Sequence, residues 1–263
     1  MKRWLGDISA YGYLLLALGF IYLPVVILVL FSFQNGDLPV PPFDGPGLRW
    51  YEKMFANKRL LDSLVNSVVV AVLSALVTTL LGFLAAYGLH RSPLRFESAA
   101  RFLLIAPITV SYLIIGMGLL TTFNVAGISK SLLAVGIGHV VINLPLAFAI
   151  IYSQMSDSHK NIDAAAHDLG ASDLQTILLV SIPMMKVPLI ASFCLSATLS
   201  WDEFIVAFLL SRFEVTLPVI IFEMLRAGLT PEVNAAGTLV FAISMAVISF
   251  AAVTLVFKRG DGQ

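Results

Sequence analysis

Six apolar runs, near 11–33, 64–89, 102–123, 132–152, 187–210 and 235–257, take up more than half of this 263-residue chain. Each meets the roughly 20 residues that a helix needs to cross a bilayer core about 30 Å thick. Hydrocarbon leaves a backbone to satisfy its own hydrogen bonds, so such runs fold as helices and not as lipid-exposed loops. Composition agrees. The chain is 59% hydrophobic and 12% charged, against about 25% charged in soluble domains, and its mean hydropathy is +0.93. The expectation is an all-α integral membrane protein of six transmembrane helices, one domain over 1–263. No convincing inverted or parallel repeat relates the two halves.

Several classes fall away at once. Net charge is zero, so no basic field points to nucleic acid. The single cysteine, Cys194, has no internal partner and reads as a small buried hydrophobe. Met1-Lys2-Arg3 before an apolar stretch suggests a cleaved signal, but the run over 11–33 is longer than the 7–15 residues of such a segment and has no small-x-small exit. It reads as an uncleaved first span.

Basic residues orient the bundle. An even number of spans puts both termini on one side, together with Lys2, Arg3, Arg91, Arg95, Arg101, Lys160, Lys186, Lys258 and Arg259. Arg49, Lys53, Lys58, Arg59, Lys130, Arg212 and Arg226 fall on the other. Nine against seven is a small excess, concentrated at the termini and first short loop, and it places both termini in the cytoplasm. The longest outer segments are then about 34–63 and 211–234. The first holds Pro39, Pro41, Pro42 and Pro46, then an amphipathic stretch over 49–61. That stretch suits either the membrane interface or packing on the helix ends.

Between the fourth and fifth runs, over about 153–186, lies a polar island. Residues 159–169 read as a short helix, and Gly170 stands where a left-handed stop belongs. Ser172-Asp173-Leu174-Gln175 fits a capping box. Leu174, Ile177, Leu178 and Ser181 follow at helical spacing, and Pro183 closes the second helix. Two short helices meeting at a glycine corner make either an ordinary connector or a grip for a partner.

Ala165-Ala166-x-x-x-Gly170, nine residues, Val180, one residue, then Ile182-Pro183 resembles the cytoplasmic signature of ABC importer permeases. The resemblance implies a coupling helix–turn–helix docked in a cleft of a cytoplasmic ATPase subunit, with Asp163, Ala165, Ala166, Asp168, Gly170 and Pro183 at that contact. One position departs: the family's leading glutamate falls on Ala164, and the nearest carboxylate, Asp163, is one step earlier. That offset turns a helical side chain by about 100°, so Asp163 is no simple substitute. Ser200-Trp201-Asp202-Glu203-Phe204, Thr216 to Phe222, Arg226-x-Gly228-x-x-Pro231-Glu232-Val233-Asn234-Ala235 and the Asn66-Ser67 pair look like the spermidine/putrescine branch. The resemblance implies a multi-pass permease of the bacterial inner membrane, a second related permease chain and a separate substrate-binding protein. It also implies polyamines or related organic solutes as substrate, and ATP with magnesium on the partner ATPase, so that this chain binds no cofactor.

Asp202 and Glu203 interrupt the fifth run. A carboxylate at the bilayer centre costs about 2.5–3.5 kcal/mol on insertion scales, so such groups face a bundle interior or an aqueous path. One is expected to line the substrate path and the other to make an interhelical contact. The alternative places both toward the outer end of the span, eased by snorkelling or by pairing with Arg212. His139 and Asn143, four apart, share a face and suit a helix-packing hydrogen bond. Pro24, Pro107 and Pro145 are expected to kink their spans, and Glu223 and Arg226 to form an ion pair.

Gly127-Ile128-Ser129-Lys130-Ser131 lacks the Gly-Lys pair of a phosphate-binding loop, and no H-E-x-x-H, Cys/His cluster or G-x-S-x-G occurs. A permease without covalent chemistry of its own is the leading reading. An ATP-independent secondary transporter or channel, using Asp202 and Glu203, is the alternative.

Overall fold

The computed structural model of the chain describes residues 2–91 and 96–260. Arg95, and the side chains of Lys2, Arg3, Lys258 and Arg259, which enter the orientation argument, lie outside what is described. Among the described residues the regular structure is helical, with one isolated bridge between Gln34 and Pro46.

Helix α1 (Lys2–Ser32) is followed by α2 (Arg49–Ala56), α3 (Lys58–Arg91), α4 (Glu97–Ile105) and α5 (Tyr112–Val125). Then come α6 (Leu132–Ser153), α7 (Asp157–Asp168), α8 (Asp173–Thr176), α9 (Ile182–Met184) and α10 (Lys186–Trp201). Helices α11 (Ile205–Leu210), α12 (Leu217–Ala227) and α13 (Pro231–Gly260) complete the chain. Tyr11–Ser32, Lys58–Arg91 and Leu132–Ser153 are each long and apolar enough to cross a membrane. The six apolar runs lie mainly on helices, the third and fifth interrupted at 110–111 and 202–204 and the last within α13.

The third run is not one straight helix. A 3₁₀ turn over Ala106–Thr109 and two extended residues, Val110 and Ser111, separate α4 from α5, and the two arms bend by 105°. Pro107 supplies no N–H for an α-turn, and Thr109 Oγ1 returns to the Ala106 carbonyl at 2.8 Å, which fastens the tight turn. Pro24 and Pro145, by contrast, lie inside α1 and α6 without a break in either helix.

Two compact units divide the chain, 1–61 with 220–246, and 62–219 with 247–263. In the first, α2 is a packed helix: Trp50 and Met54 are buried, and the Trp50 indole donates to the Gly36 carbonyl at 3.2 Å. Glu223 takes Arg59 as its partner, at 2.7 Å, while Arg226 lies over the Phe222 ring. The expected Glu223–Arg226 pair is therefore replaced by a contact from the start of α3, which sequence spacing cannot see.

In the second unit α3, α6 and α10 share a polar seam. Ser74 Oγ lies 3.0 Å from Ser200 Oγ, and His139 Nδ1 lies 2.6 Å from the same hydroxyl. His139 thus makes the expected interhelical bond. Asn143, one turn away, is buried with neither amide atom bonded. Small residues let the helices approach: a Cβ on Gly82 would lie 3.1 Å from the backbone nitrogen of Phe148. Beside this crossing sits a core of Phe83, Ala86, Leu89, Phe148, Ile151 and Met185.

Overpacking at such a crossing costs about 1–3 kcal/mol. Gly82→Leu is expected to lower the midpoint of thermal unfolding in detergent. Gly88→Leu, where a Cβ meets nothing within 4 Å, is expected to leave it unchanged or raise it.

Candidate functional site

The island folds as a helical hairpin. Ser156 caps α7 through a capping box with His159, so the first arm starts at Asp157, two residues before its sequence expectation. It ends at Gly170, whose φ is +90°. The Gly170 amide donates to the His167 carbonyl at 2.8 Å and the Ala171 amide to the Ala166 carbonyl at 3.0 Å. This is the Schellman pair of bonds, which satisfies the last carbonyls of a helix only if the intervening residue is left-handed. Ser172 Oγ then accepts from the Gln175 amide and Gln175 Oε1 accepts from the Ser172 amide, opening the second arm as the capping box requires.

Pro183 does not close that arm. The chain widens into a π turn over Ile177–Ser181, continues through α9, and bends by 76° at the junction with α10. The Ile182 amide reaches back to the Ile177 carbonyl, so the wide turn is already made when the proline, which lacks a donor, arrives. Ile177 and Ile182 pack against the core of the second unit.

Of the residues assigned to docking, Ala165, Asp168, Gly170 and Pro183 are exposed and Ala166 is half-buried. Asp163 points inward: it is buried, and its Oδ1 accepts from Ser181 Oγ at 2.9 Å. Its carboxylate locks the two arms together and is not presented outward. Ala164, on the face where the resemblance expects glutamate, is exposed.

Three features of the hairpin are not visible in the sequence reading. Leu169, at the corner, is 90% exposed; in the sequence a single leucine before glycine reads as an ordinary helix residue. Arg91, the last residue of α3, pairs with Asp173 at 3.2 Å and donates to His167 Nε2. His90, beside it, lies 3.0 Å from the Ser156 carbonyl. These contacts join positions more than 60 residues apart, beyond any local spacing rule. Asp173 is largely exposed, and a pair of that kind contributes at most about 1 kcal/mol to stability. Its consequence is geometric.

The two carboxylates of the fifth run do not sit on one helix. The helix stops at Trp201, and Asp202 and Glu203 occupy the break before α11. Glu203 turns back as a cap: it accepts from the amides of Ile205 at 3.1 Å, Val206 at 2.8 Å and Ala207 at 3.3 Å. Its Oε2 lies 3.7 Å from His139 Nε2. Asp202 is exposed. Arg212 lies over the Phe213 ring and, among the described residues, forms no ion pair with either carboxylate. Asn66 and Ser67 also act on backbone: Asn66 Nδ2 donates to the Val215 carbonyl at 3.1 Å, and Ser67 Oγ accepts from the Leu217 amide at 2.7 Å.

Residues 78–259, a stretch that contains the whole hairpin and the Asp202–Glu203 break, match the profile of the family described as binding-protein-dependent transport system inner membrane component. The chain belongs to that family. It is an inner-membrane permease component of a binding-protein-dependent importer. It is 30% identical over 239 residues to the spermidine/putrescine transport system permease protein PotC of Haemophilus influenzae, covering 90% of this chain and 92% of that protein. It is 29% identical over 247 residues to the putrescine transport system permease protein PotI of Escherichia coli, covering 91% and 87%. Among solved structures, its fold is similar to that of a bacterial ABC transporter involved in the import of the acidic polysaccharide alginate (TM-score 0.67, 21% identity, 96% of each chain covered). It is also similar to a bacterial alginate ABC transporter in complex with an alginate pentasaccharide-bound periplasmic protein (TM-score 0.72, 14% identity, 95% and 93% covered). These two likenesses concern the fold alone.

Losing a helix cap costs about 0.5–2 kcal/mol. Glu203→Gln, which keeps one acceptor where α11 uses two, is expected to lower thermal stability in detergent by an amount in that range. Asp202→Asn is expected to leave stability unchanged.

Proposed function

We propose that this permease imports polyamines, putrescine or spermidine, or closely related organic cations. In this reading it crosses the inner membrane six times, with both termini and the hairpin in the cytoplasm. It pairs with a second related permease chain and receives substrate from a separate binding protein. Cytoplasmic ATPase subunits hold the ATP and magnesium and dock on Ala165, Ala166, Asp168, Gly170, Pro183 and the exposed Leu169, while Asp163 keeps the hairpin closed from within.

The observation that carries the docking role is the corner itself. A polar hairpin closed by a left-handed glycine, capped at both helix starts and seated on an apolar core can transmit force, whereas a slack loop cannot. Nucleotide binding at the ATPase can bias the permease only through a difference in affinity between its two conformations. A stiff contact converts that difference into movement of α3, α6 and α10.

The polyamine assignment is supported by the two relatives and by Asp202. Glu203 spends its acceptors on α11, which leaves Asp202 as the exposed carboxylate of the break and the better candidate for a cationic path. An ATP-independent carrier built on both carboxylates is the weaker reading, because one of the pair is already committed to a cap.

Uptake of labelled putrescine and spermidine tests this in cells lacking other polyamine importers. Deletion of the chain is expected to abolish uptake. Gly170→Asp, which forces a side chain into the left-handed corner, is expected to do the same with the protein still in the membrane. Asp202→Asn is expected to reduce uptake without loss of assembly. Full uptake after deletion would reject the substrate. Loss on deletion with normal transport by the Gly170 variant would reject the docking corner.

A further inference from the structure

We propose that Arg91 is a positioning residue for transport: it sets the angle at which the hairpin corner is presented, by tying the last turn of α3 to both arms. The proposal rests on the docking role above and adds the device that makes docking productive.

The guanidinium is oriented before it reaches the hairpin. One turn back on α3, the Tyr87 hydroxyl accepts from Arg91 Nη1 at 2.9 Å, and the guanidinium lies 5.7 Å from the Tyr87 ring centroid. Nη1 also faces Asp173 Oδ1 at 3.2 Å, at the first residue of α8. Nη2 donates to His167 Nε2 in the last turn of α7. With Nε2 accepting, Nδ1 carries the hydrogen and donates to the Ala171 carbonyl at 3.0 Å, so the imidazole braces the corner from inside. Five donors in a fixed planar fork allow such simultaneous contacts, and a lysine ammonium on its flexible stem does not reproduce them.

The neighbouring residue completes the hold. His90 Nε2 lies 3.0 Å from the carbonyl of Ser156, the residue that caps the start of α7. Two consecutive residues of α3 therefore grip α7 at opposite ends. A helix held at one end pivots; held at both, it follows α3 as a unit. Nearby, Lys160 pairs with Asp157 at 3.6 Å, and Asp163 accepts from Ser181. Without Arg91, part of any push on the corner is absorbed as rotation of the hairpin, and nucleotide turnover and transport come apart.

The test uses the complete importer, both permease chains, the ATPase and the binding protein, in proteoliposomes with putrescine as the probe. Arg91→Ala and Arg91→Lys are expected to assemble and hydrolyse ATP while uptake per ATP falls by about 2- to 30-fold, the range for loss of a single coupling contact. The double variant Arg91→Asp with Asp173→Arg is expected to recover part of the ratio. An unchanged ratio in Arg91→Ala overturns the proposal, as does a proportional loss of hydrolysis and uptake, which marks a merely structural role. A second readout does not depend on substrate. Spin labels at Leu84→Cys and Leu174→Cys, both at exposed sites, on a Cys194→Ala background, are expected to give a narrow distance distribution that broadens in Arg91→Ala. Equal widths overturn the proposal. If the unaltered importer turns over ATP but takes up no putrescine, the substrate reading fails while the distance measurement still decides the role of Arg91.

Discussion

A polar hairpin on the end of an apolar bundle cannot be held by hydrophobic burial alone, because its own side chains are mostly polar and exposed. Here a left-handed glycine and a few directed hydrogen bonds fix it. Gly170 at φ +90° lets two amides close on the carbonyls of α7, and the reversal this creates brings Asp163 against Ser181. A side chain at position 170 would strain the left-handed backbone on which these contacts depend. The hairpin then rests on Ile177 and Ile182, the apolar residues that join it to the core of α3 and α6.

The same economy appears inside the helical bundle. Several buried polar groups there hold backbone or neighbouring helices. Ser74, His139 and Ser200 join three helices at one level; Glu203 stitches α11 across the break after α10; Ser67 accepts from the first amide of α12. Irregular backbone at the depth of a membrane survives where side chains satisfy the freed groups. The division of labour between adjacent carboxylates follows from this. Glu203 holds the broken helix and Asp202 stays available.

What could be read from the sequence was local. The glycine stop and the Ser172 capping box each depend on residues within a turn or two, and each is present in the structure. Contacts across long separations were not legible. Arg91 with His167 and Arg59 with Glu223 leave no periodic trace, and the local rule gave Glu223 the wrong partner. For Asp202 and Glu203 the sequence signals an interrupted run and a split of roles between the two carboxylates, but not which takes which role, because that depends on where the backbone breaks between Trp201 and Ile205. Pro183 failed as a stop, because a π turn just before it makes room that a regular helix lacks. The 105° bend at Pro107 was signalled by a proline, yet Pro24 and Pro145 carry the same signal without a break.

We propose that the Gly170 corner is the surface that meets the ATPase. A photo-activated crosslinking side chain at position 169, where Leu169 stands 90% exposed, tests this most directly in the intact importer within native membranes. Crosslinking to the ATPase subunit, with yield that changes on nucleotide addition, is the expected result. Crosslinking to the substrate-binding protein, or to no subunit at all, would contradict both the orientation of the hairpin and its role.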